Sequence, residues 1–542
     1  MTLRTFIVAM GFVFFGGFPV IGLTYRDWAA PERALARSAN PLEMVESFLA
    51  AQERGIVRSF RENLIAKGKT ETANRVGVLE ELYGGNTAGA LQALELLESP
   101  SDGFVTQANY VKGLLVLQRE FEELASDHFR VRTSTADAFL APYAVASLEN
   151  VQARAVEFFG SSPTYSVPIE IYPTVESFSF ASTLQRDAME RTGVVSRVAF
   201  GRIMLLSPGA TAIGYRWLDT MIDAYIHTHV SQVSGGLCPV WLQEGVSRYL
   251  EVAWRNPNGF VHNPRDRAVL TQGVLSAEAN VVLGFNTLDV PFESLSSMDQ
   301  VELSRVAVTD AVYFIVQEFG VEKLQSLLHS FRVHSRADAF RLALGVSERD
   351  LEKSWREALV ERTEVPTELA QGALGPVVRL GTGEDLLLVG DELKVLIRLG
   401  DRWRENGAND KAAFEYKKAV KVAPDNGVAL TRLAGLYGEM GNLKSADELL
   451  TRAIDKNPAY VSSYVLQGTL YFEQGRYEEA QSVLQQALEI NPFDPNIYEQ
   501  LGLIAVDVGN FTLARQSLEL ALRFDPANTR VKQVLRRMPK GR

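Results

Sequence analysis

His227 and His229 are two of only six histidines in a chain of 542 residues, and they stand two positions apart. Imidazole is both a metal ligand and a proton carrier near neutral pH, so this pair is the first place where chemistry is expected. On a helix, residues two apart point to different faces, whereas residues four apart share one. Asp223 and His227 have the second spacing. A carboxylate and an imidazole so placed can hold an ion between them or hydrogen-bond to each other. His229 points elsewhere. The other reactive side chains are poorly placed: His128, His329 and His334 have no ligand partners at suitable spacing. Cys238, the single cysteine, lies beside Pro239 with no His or Asn arranged to activate it. One cysteine also excludes an intramolecular disulfide and a cysteine-based zinc cluster. Ser234 and Ser247 lack the Gly-x-Ser-x-Gly context of a nucleophile elbow.

The elements that would position Asp223 and His227 are two helices. One runs from Trp217 to about Val233, and after a Gly235-Gly236 turn a second runs from Pro239 to about Trp254. Upstream, Val167-Pro-Ile-Glu-Ile-Tyr and Arg202-Ile-Met-Leu-Leu alternate as strands do, and Pro208-Gly209 closes the second. Before them, residues 38–160 carry helix-spaced apolar residues, including Leu114, Leu117, Phe121 and Leu124. Residues 300–362 return to amphipathic helices, and 363–392, rich in Gly and Pro, form a linker. The expected fold class is α+β, mostly α.

The element Trp241-Leu-Gln-Glu-Gly245, on a helix shortly after one bearing histidine, resembles the gluzincin metallopeptidases. Most of all it is similar to the bacterial peptidase MA-like family. The strings Ile169-Glu-Ile-Tyr-Pro, Arg191-Thr-Gly, Ser207-Pro and Gly214-Tyr-Arg-Trp-Leu-Asp-Thr carry the resemblance across about 165–362. In that family a His-Glu-x-x-His helix supplies two zinc ligands and a general base, and a glutamate on the next helix supplies the third ligand. The resemblance maps the motif onto Asp223-Ala-Tyr-Ile-His227, with Glu244 as the third ligand. The first histidine is therefore Asp223, and Ala224 occupies the general-base position. A rival register, Tyr225 to His229, places Tyr and Ile at the same two positions. The base is absent under either register, and acid–base assistance typically contributes about 10²–10⁴-fold in rate. Asp223, His227 and Glu244 could still hold zinc, but with more carboxylate and less imidazole than a zinc peptidase has. The expectation is that no cofactor is used and that these three hydrogen-bond among themselves in a buried fossil site.

The C-terminal third repeats every 34 residues. Prolines recur at 424, 458, 492 and 526, glycines at 407, 441, 475 and 509, and small residues at Gly400, Ala434, Gly468 and Gly502. Small residues let paired helices approach, the glycine turns between them and the proline ends the second. This resembles the tetratricopeptide repeat in four copies over 393–528, with a basic capping tail at 529–542. Such arrays bind a protein or peptide partner along the face formed by their first helices. Lys394, Ile397, Thr431, Val465, Thr469, Glu499 and Leu503 are expected there, a lining without the Lys and Asn run that clamps a C-terminal carboxylate.

Lys and Arg number 55 against 66 Asp and Glu, a net charge of −11 that argues against nucleic acid as a partner. Between Arg4 and Arg26 lie 21 uncharged residues, Thr5 to Tyr25. A bilayer-spanning helix needs about 20 such residues and a cleaved signal only about 7–15. Residues 1–26 are therefore expected to anchor the chain in a bacterial inner membrane, with the bulk in the periplasm; a cleaved, secreted form is the alternative. The chain so read is a non-catalytic envelope scaffold, and the alternative is a zinc metallopeptidase with an atypical active site.

Overall fold

The apolar runs expected as strands lie at the centre of a five-stranded mixed sheet in the computed structural model. Val167–Tyr172 (β3) and Arg202–Leu206 (β5) are buried along their whole length and pair in parallel. Outside them lie β1 (Phe121–Ala125), β2 (Phe129–Ser134) and β4 (Ser196–Ala199), giving the order β1-β2-β3-β5-β4. β1 and β4 pair antiparallel with their neighbours, and β2 runs parallel to β3.

β1 and β2 correct the expectation of helix across 38–160. The spacing of Phe121 and Leu124 suits a helix, but both residues lie on a largely exposed edge strand. β2 alternates buried and half-buried residues, and pairing with β3 satisfies its backbone. The other regular elements among the described residues of that segment are helices and include Ala141–Phe159 (α1).

The structure describes residue 35 and residues 41–50, 54–97, 102–160, 166–253, 260, 262, 264–275, 284–362, 380 and 385–539. The uncharged run at 5–25 lies outside them, as does most of the linker. Among the described residues no helix is long and apolar enough to cross a membrane. The described residues fall into two compact units. The first draws on Met1–Ser207, Leu218–Val261 and Leu270–Glu364, the second on Pro208–Trp217, His262–Val269 and Val365–Arg542.

In the first unit, three helices follow the sheet and frame the candidate site: Trp217–Ser234 (α2), Val240–Ala253 (α3) and Met298–Phe319 (α4). Gly235 and Gly236 stop α2, both with positive φ, 65° and 69°. Gly245 lets α3 lie against α4, since a Cβ there would collide with the Val308 carbonyl oxygen.

The second unit contains the repeats as four helix pairs. They are Asp391–Glu405 and Asn409–Val422 (α5, α6), Gly427–Glu439 and Leu443–Lys456 (α7, α8), Val461–Glu473 and Tyr477–Leu488 (α9, α10), and Pro495–Asp507 and Phe511–Phe524 (α11, α12). A capping helix, Thr529–Arg537 (α13), follows. The periodic glycines sit at φ between 69° and 79°, the left-handed turn that glycine adopts without strain. A Cβ on Gly468 would stand 2.7 Å from the Leu484 side chain, so the small residue sets how closely the pair packs. Each second helix ends two to four residues before its periodic proline. Residues outside the repeats join this unit: the Tyr215 N–H donates to the Ile490 carbonyl at 2.9 Å, and Thr211 bridges Leu380.

The sheet of the first unit holds one fully buried ion pair, Glu170 on β3 with Arg202 on β5. The Tyr172 hydroxyl and Gln118 Nε2 also donate to Glu170, at 2.6 and 2.8 Å. Burial alone would raise the Glu170 pKa; Arg202, Tyr172 and Arg132 outweigh it and hold the carboxyl below its usual value. Glu170→Gln leaves Arg202 buried without its counter-charge, and stability should fall by about 3–5 kcal/mol in chemical denaturation. A depressed folded pKa adds stability above the unfolded value of about 4.3, and that stability is lost as pH falls through the folded value. The gap between wild type and Glu170→Gln should therefore narrow below about pH 4. A gap independent of pH would contradict the ion-pair account.

Candidate functional site

α2 and α3 bring the three sequence-selected residues together. His227 Nε2 lies 3.4 Å from Glu244 Oε2 on α3 and 3.7 Å from Asp223 Oδ2, one turn earlier on α2. His227 is 7% exposed and Ala224, beside Asp223, is 3% exposed. Burial works against a charged imidazole, but Glu244 and Asp223 outweigh it and raise the His227 pKa to about 9. The two neighbouring carboxyl groups favour the protonated form of the ring. Burial also raises the Asp223 pKa, and Glu244 adds to that shift while His227 opposes it.

The other histidines lie elsewhere. His229 is fully buried, its Nε2 2.8 Å from the Tyr225 hydroxyl, which in turn bonds to Gln152 on α1. Its ring stacks on Phe159 at 5.1 Å, and burial lowers its pKa to about 4. It is a neutral packing residue. His128 pairs with Glu149 at 2.8 Å, and His329 lies 3.2 Å from the Phe159 carbonyl. Cys238 is buried, and that burial pushes its thiol pKa up.

Around the triad stands a charged shell that sequence reading missed. Arg248 pairs with the buried Glu251 on α3. Burial lifts Glu251 to about 8 against the pull of Arg248, with Asp223 and Asp219 adding to the rise. Arg305, on α4, lies over the Phe292 ring at 5.5 Å; burial, and then the Arg248 charge, lower its pKa. Glu293 is raised by burial and opposed by Arg197. Arg248 and Glu251 follow Glu244 by four and seven positions, so helical periodicity could have found them. Arg305, Glu293 and Arg197 come from other elements, and no local pattern ties them to the site.

The donor set does not fit a catalytic zinc. The family's chemistry needs two imidazole lone pairs and a carboxylate base. Here one imidazole is present, its nitrogen is committed to carboxylates, and a methyl group stands where the base belongs. Among the described residues no group of three or more His, Cys, Asp or Glu side chains forms a metal cluster. What the arrangement can do is hold α2 and α3 together through compensated buried charge.

α3, which carries Glu244, is fixed at its start by a residue distant in sequence. Asp289 Oδ1 accepts from the Val240 N–H at 2.7 Å and from the Trp241 N–H at 3.4 Å, standing in for a local cap. Arg336 holds Asp289 and Glu348, each at 2.6 Å, and Glu348 accepts from Trp241 Nε1 at 2.9 Å. The Trp241 ring stacks on Phe285 with centroids 3.8 Å apart. The tryptophan of the Trp-Leu-x-Glu-Gly element is thus the anchor that sets where Glu244 falls. Asp289→Ala should cost about 1–2 kcal/mol and speed amide exchange at Val240 and Trp241. Unchanged exchange there would show that the cap is not what fixes α3.

On the array, Lys394 pairs with Asp391 at 3.5 Å, and Val465, Thr469 and Leu503 are half-buried. Three of the expected lining residues are not open to a ligand. Ile397 is fully buried against its neighbours, and Thr431 bonds to Ser463 at 2.8 Å. Glu499 is buried between Asn528 and Arg530, at 2.7 and 3.2 Å. These positions face the next repeat or the capping helix, which a single-helix projection does not reveal.

Comparison with known families matches residues 150–361 to the peptidase MA superfamily. Tetratricopeptide repeat models match 404–465, 468–509 and 495–528. No curated protein matches the chain. Solved structures similar to it include MamA, at 27% identity over 25% of this chain and 79% of that one, with a TM-score of 0.23. A second is pilF of Pseudomonas aeruginosa, at 26% identity over 26% of this chain and 65% of that one, with a TM-score of 0.25. A third is a thermophilic TPR protein of Thermus thermophilus, at 26% identity over 25% of this chain and 75% of that one, with a TM-score of 0.24. The chain thus carries a peptidase MA superfamily domain over residues 150–361, followed by tetratricopeptide repeats.

Proposed function

We propose that the chain is a non-catalytic scaffold of the bacterial envelope, binding a protein or peptide partner through its repeats. The observation that carries this reading is the converted site: an imidazolium held by Asp223 and Glu244 with Ala224 at the position of the base. Nothing at that position can take a proton from water, so the domain has kept the helix pair without the reaction. The repeats supply the binding role, because stacked helix pairs present an extended face built for chain segments. The uncharged run Thr5–Tyr25 between Arg4 and Arg26 supports placing the chain at a membrane, with the folded units outside the cytoplasm.

Metal analysis and a peptidase assay on the purified full chain test the catalytic half of this reading. The expected result is no chelator-sensitive cleavage of peptide substrates. Stoichiometric zinc together with cleavage that a chelator abolishes and zinc restores would overturn it, in favour of a peptidase with an atypical site. The double variant Asp223→His, Ala224→Glu rebuilds the family's motif. It should bind zinc more tightly than wild type by about two orders of magnitude, because an imidazole replaces a carboxylate and the helix face is retained.

A further inference from the structure

The segment just before the first repeat is expected as linker, yet part of it is seated on the array. Asp385–Leu388 forms a single 3₁₀ turn. Leu386 and Val389 are each 7% exposed and belong to one apolar cluster with Leu393, Ile397, Val428, Ala429 and Tyr460. The Asp385 carboxylate accepts from Arg432 Nη2 at 3.0 Å and from the Tyr460 hydroxyl at 2.5 Å. Leu393 and Ile397 lie on α5, Val428 and Arg432 on α7, and Tyr460 immediately precedes α9. Asp385, Leu386 and Val389 therefore engage α5, α7 and the residue that leads into α9. A plain connection to α5 needs neither the carboxylate on Arg432 nor the buried aliphatic pair; a solvated chain would serve. The contacts have the form of a bound peptide, an acidic residue followed by aliphatic ones, held by one cation, one hydroxyl and an apolar seat.

We propose that Asp385–Val389 is a resident ligand of the repeat array, and that the partner of this face is a segment of the same chemistry that takes its place. The proposal rests on reading the array as protein-binding. A tethered segment acts at an effective concentration on the order of millimolar, so even weak contacts keep it seated. An outside segment must then compete with it, and its apparent affinity falls by the fraction of time that the seat is free.

The test uses the full chain and a fluorescein-labelled peptide with the sequence of residues 381–390. Asp385→Ser, Leu386→Ser and Val389→Ser together should lift the resident segment and tighten binding of this peptide about tenfold or more over wild type. Adding Arg432→Gln should abolish that gain. Equal binding by wild type and the lifted variant, or a gain that Arg432→Gln leaves intact, overturns the proposal. A second measurement does not depend on the triple variant folding. Tyr460→Phe removes one hydrogen bond to Asp385 and should speed amide exchange in 386–390 about tenfold, with 393–405 unchanged. Unaltered exchange in 386–390 also overturns the proposal. The peptide stands in for any natural partner, so failure to find such a partner would count against the scaffold reading alone. A partner that binds wild type and lifted variant equally would overturn only the resident ligand.

Discussion

Two carboxylates face each other's helices across a single protonated ring, and the α2–α3 pair depends on that charge being balanced. Without His227, Asp223 and Glu244 would bring two carboxyl groups together in a largely buried space with no basic side chain directly between them. With it, Arg248 and Arg305 complete a compensated network. In an active zinc site the metal carries the positive charge and the imidazoles are neutral ligands. Here the position between Asp223 and Glu244 favours a proton on His227 in that role. A carboxylate at 223 in place of a histidine suits that arrangement, since it strengthens the hold on a cationic ring.

The shell that supports the site depends on no reacting atom. Trp241, Asp289, Arg336 and Glu348 fix the start of α3 by stacking, capping and ion pairing, none of which involves a reacting atom. Gly245 sets the approach of α3 to α4. The Trp-Leu-x-Glu-Gly element therefore has a structural reason at Trp241 and at Gly245 that needs no catalysis. The buried pair Glu170–Arg202 does the same for the sheet. It adds little net stability over an apolar core, but neither member can be removed alone without stranding a charge.

Much of this was legible in the sequence because periodicity is a direct imprint of packing. The 34-residue spacing of Gly, Ala and Pro fixed the helix pairs of the array, since each residue type meets one steric demand per repeat. The short segments 167–172 and 202–206, each mostly apolar around one charged residue, announced central strands. β1 was missed because an edge strand of five residues carries no such run and its Phe121/Leu124 spacing imitates a helix, and β2 because its buried positions alternate with arginines and a serine. The convergence of Asp223, His227 and Glu244 came from motif spacing. The surrounding Arg305, Glu293 and Arg197 did not, because tertiary folding alone assembles them. Ile397, Thr431 and Glu499 were misplaced for a related reason: one helix shows which face is shared, and the neighbouring repeat decides which part of it stays open. The linker misled in the same way, as the Gly and Pro content around Asp385–Val389 hid a short segment with a seat of its own.

The most direct test of the converted site is anomalous diffraction at the zinc absorption edge from crystals of the full chain grown with zinc in excess. The account predicts no peak among Asp223, His227 and Glu244, with the imidazole still in contact with both carboxylates. A zinc peak there with all three side chains at about 2.0–2.2 Å would contradict it. The site would then be a metal centre whose reaction remains to be found.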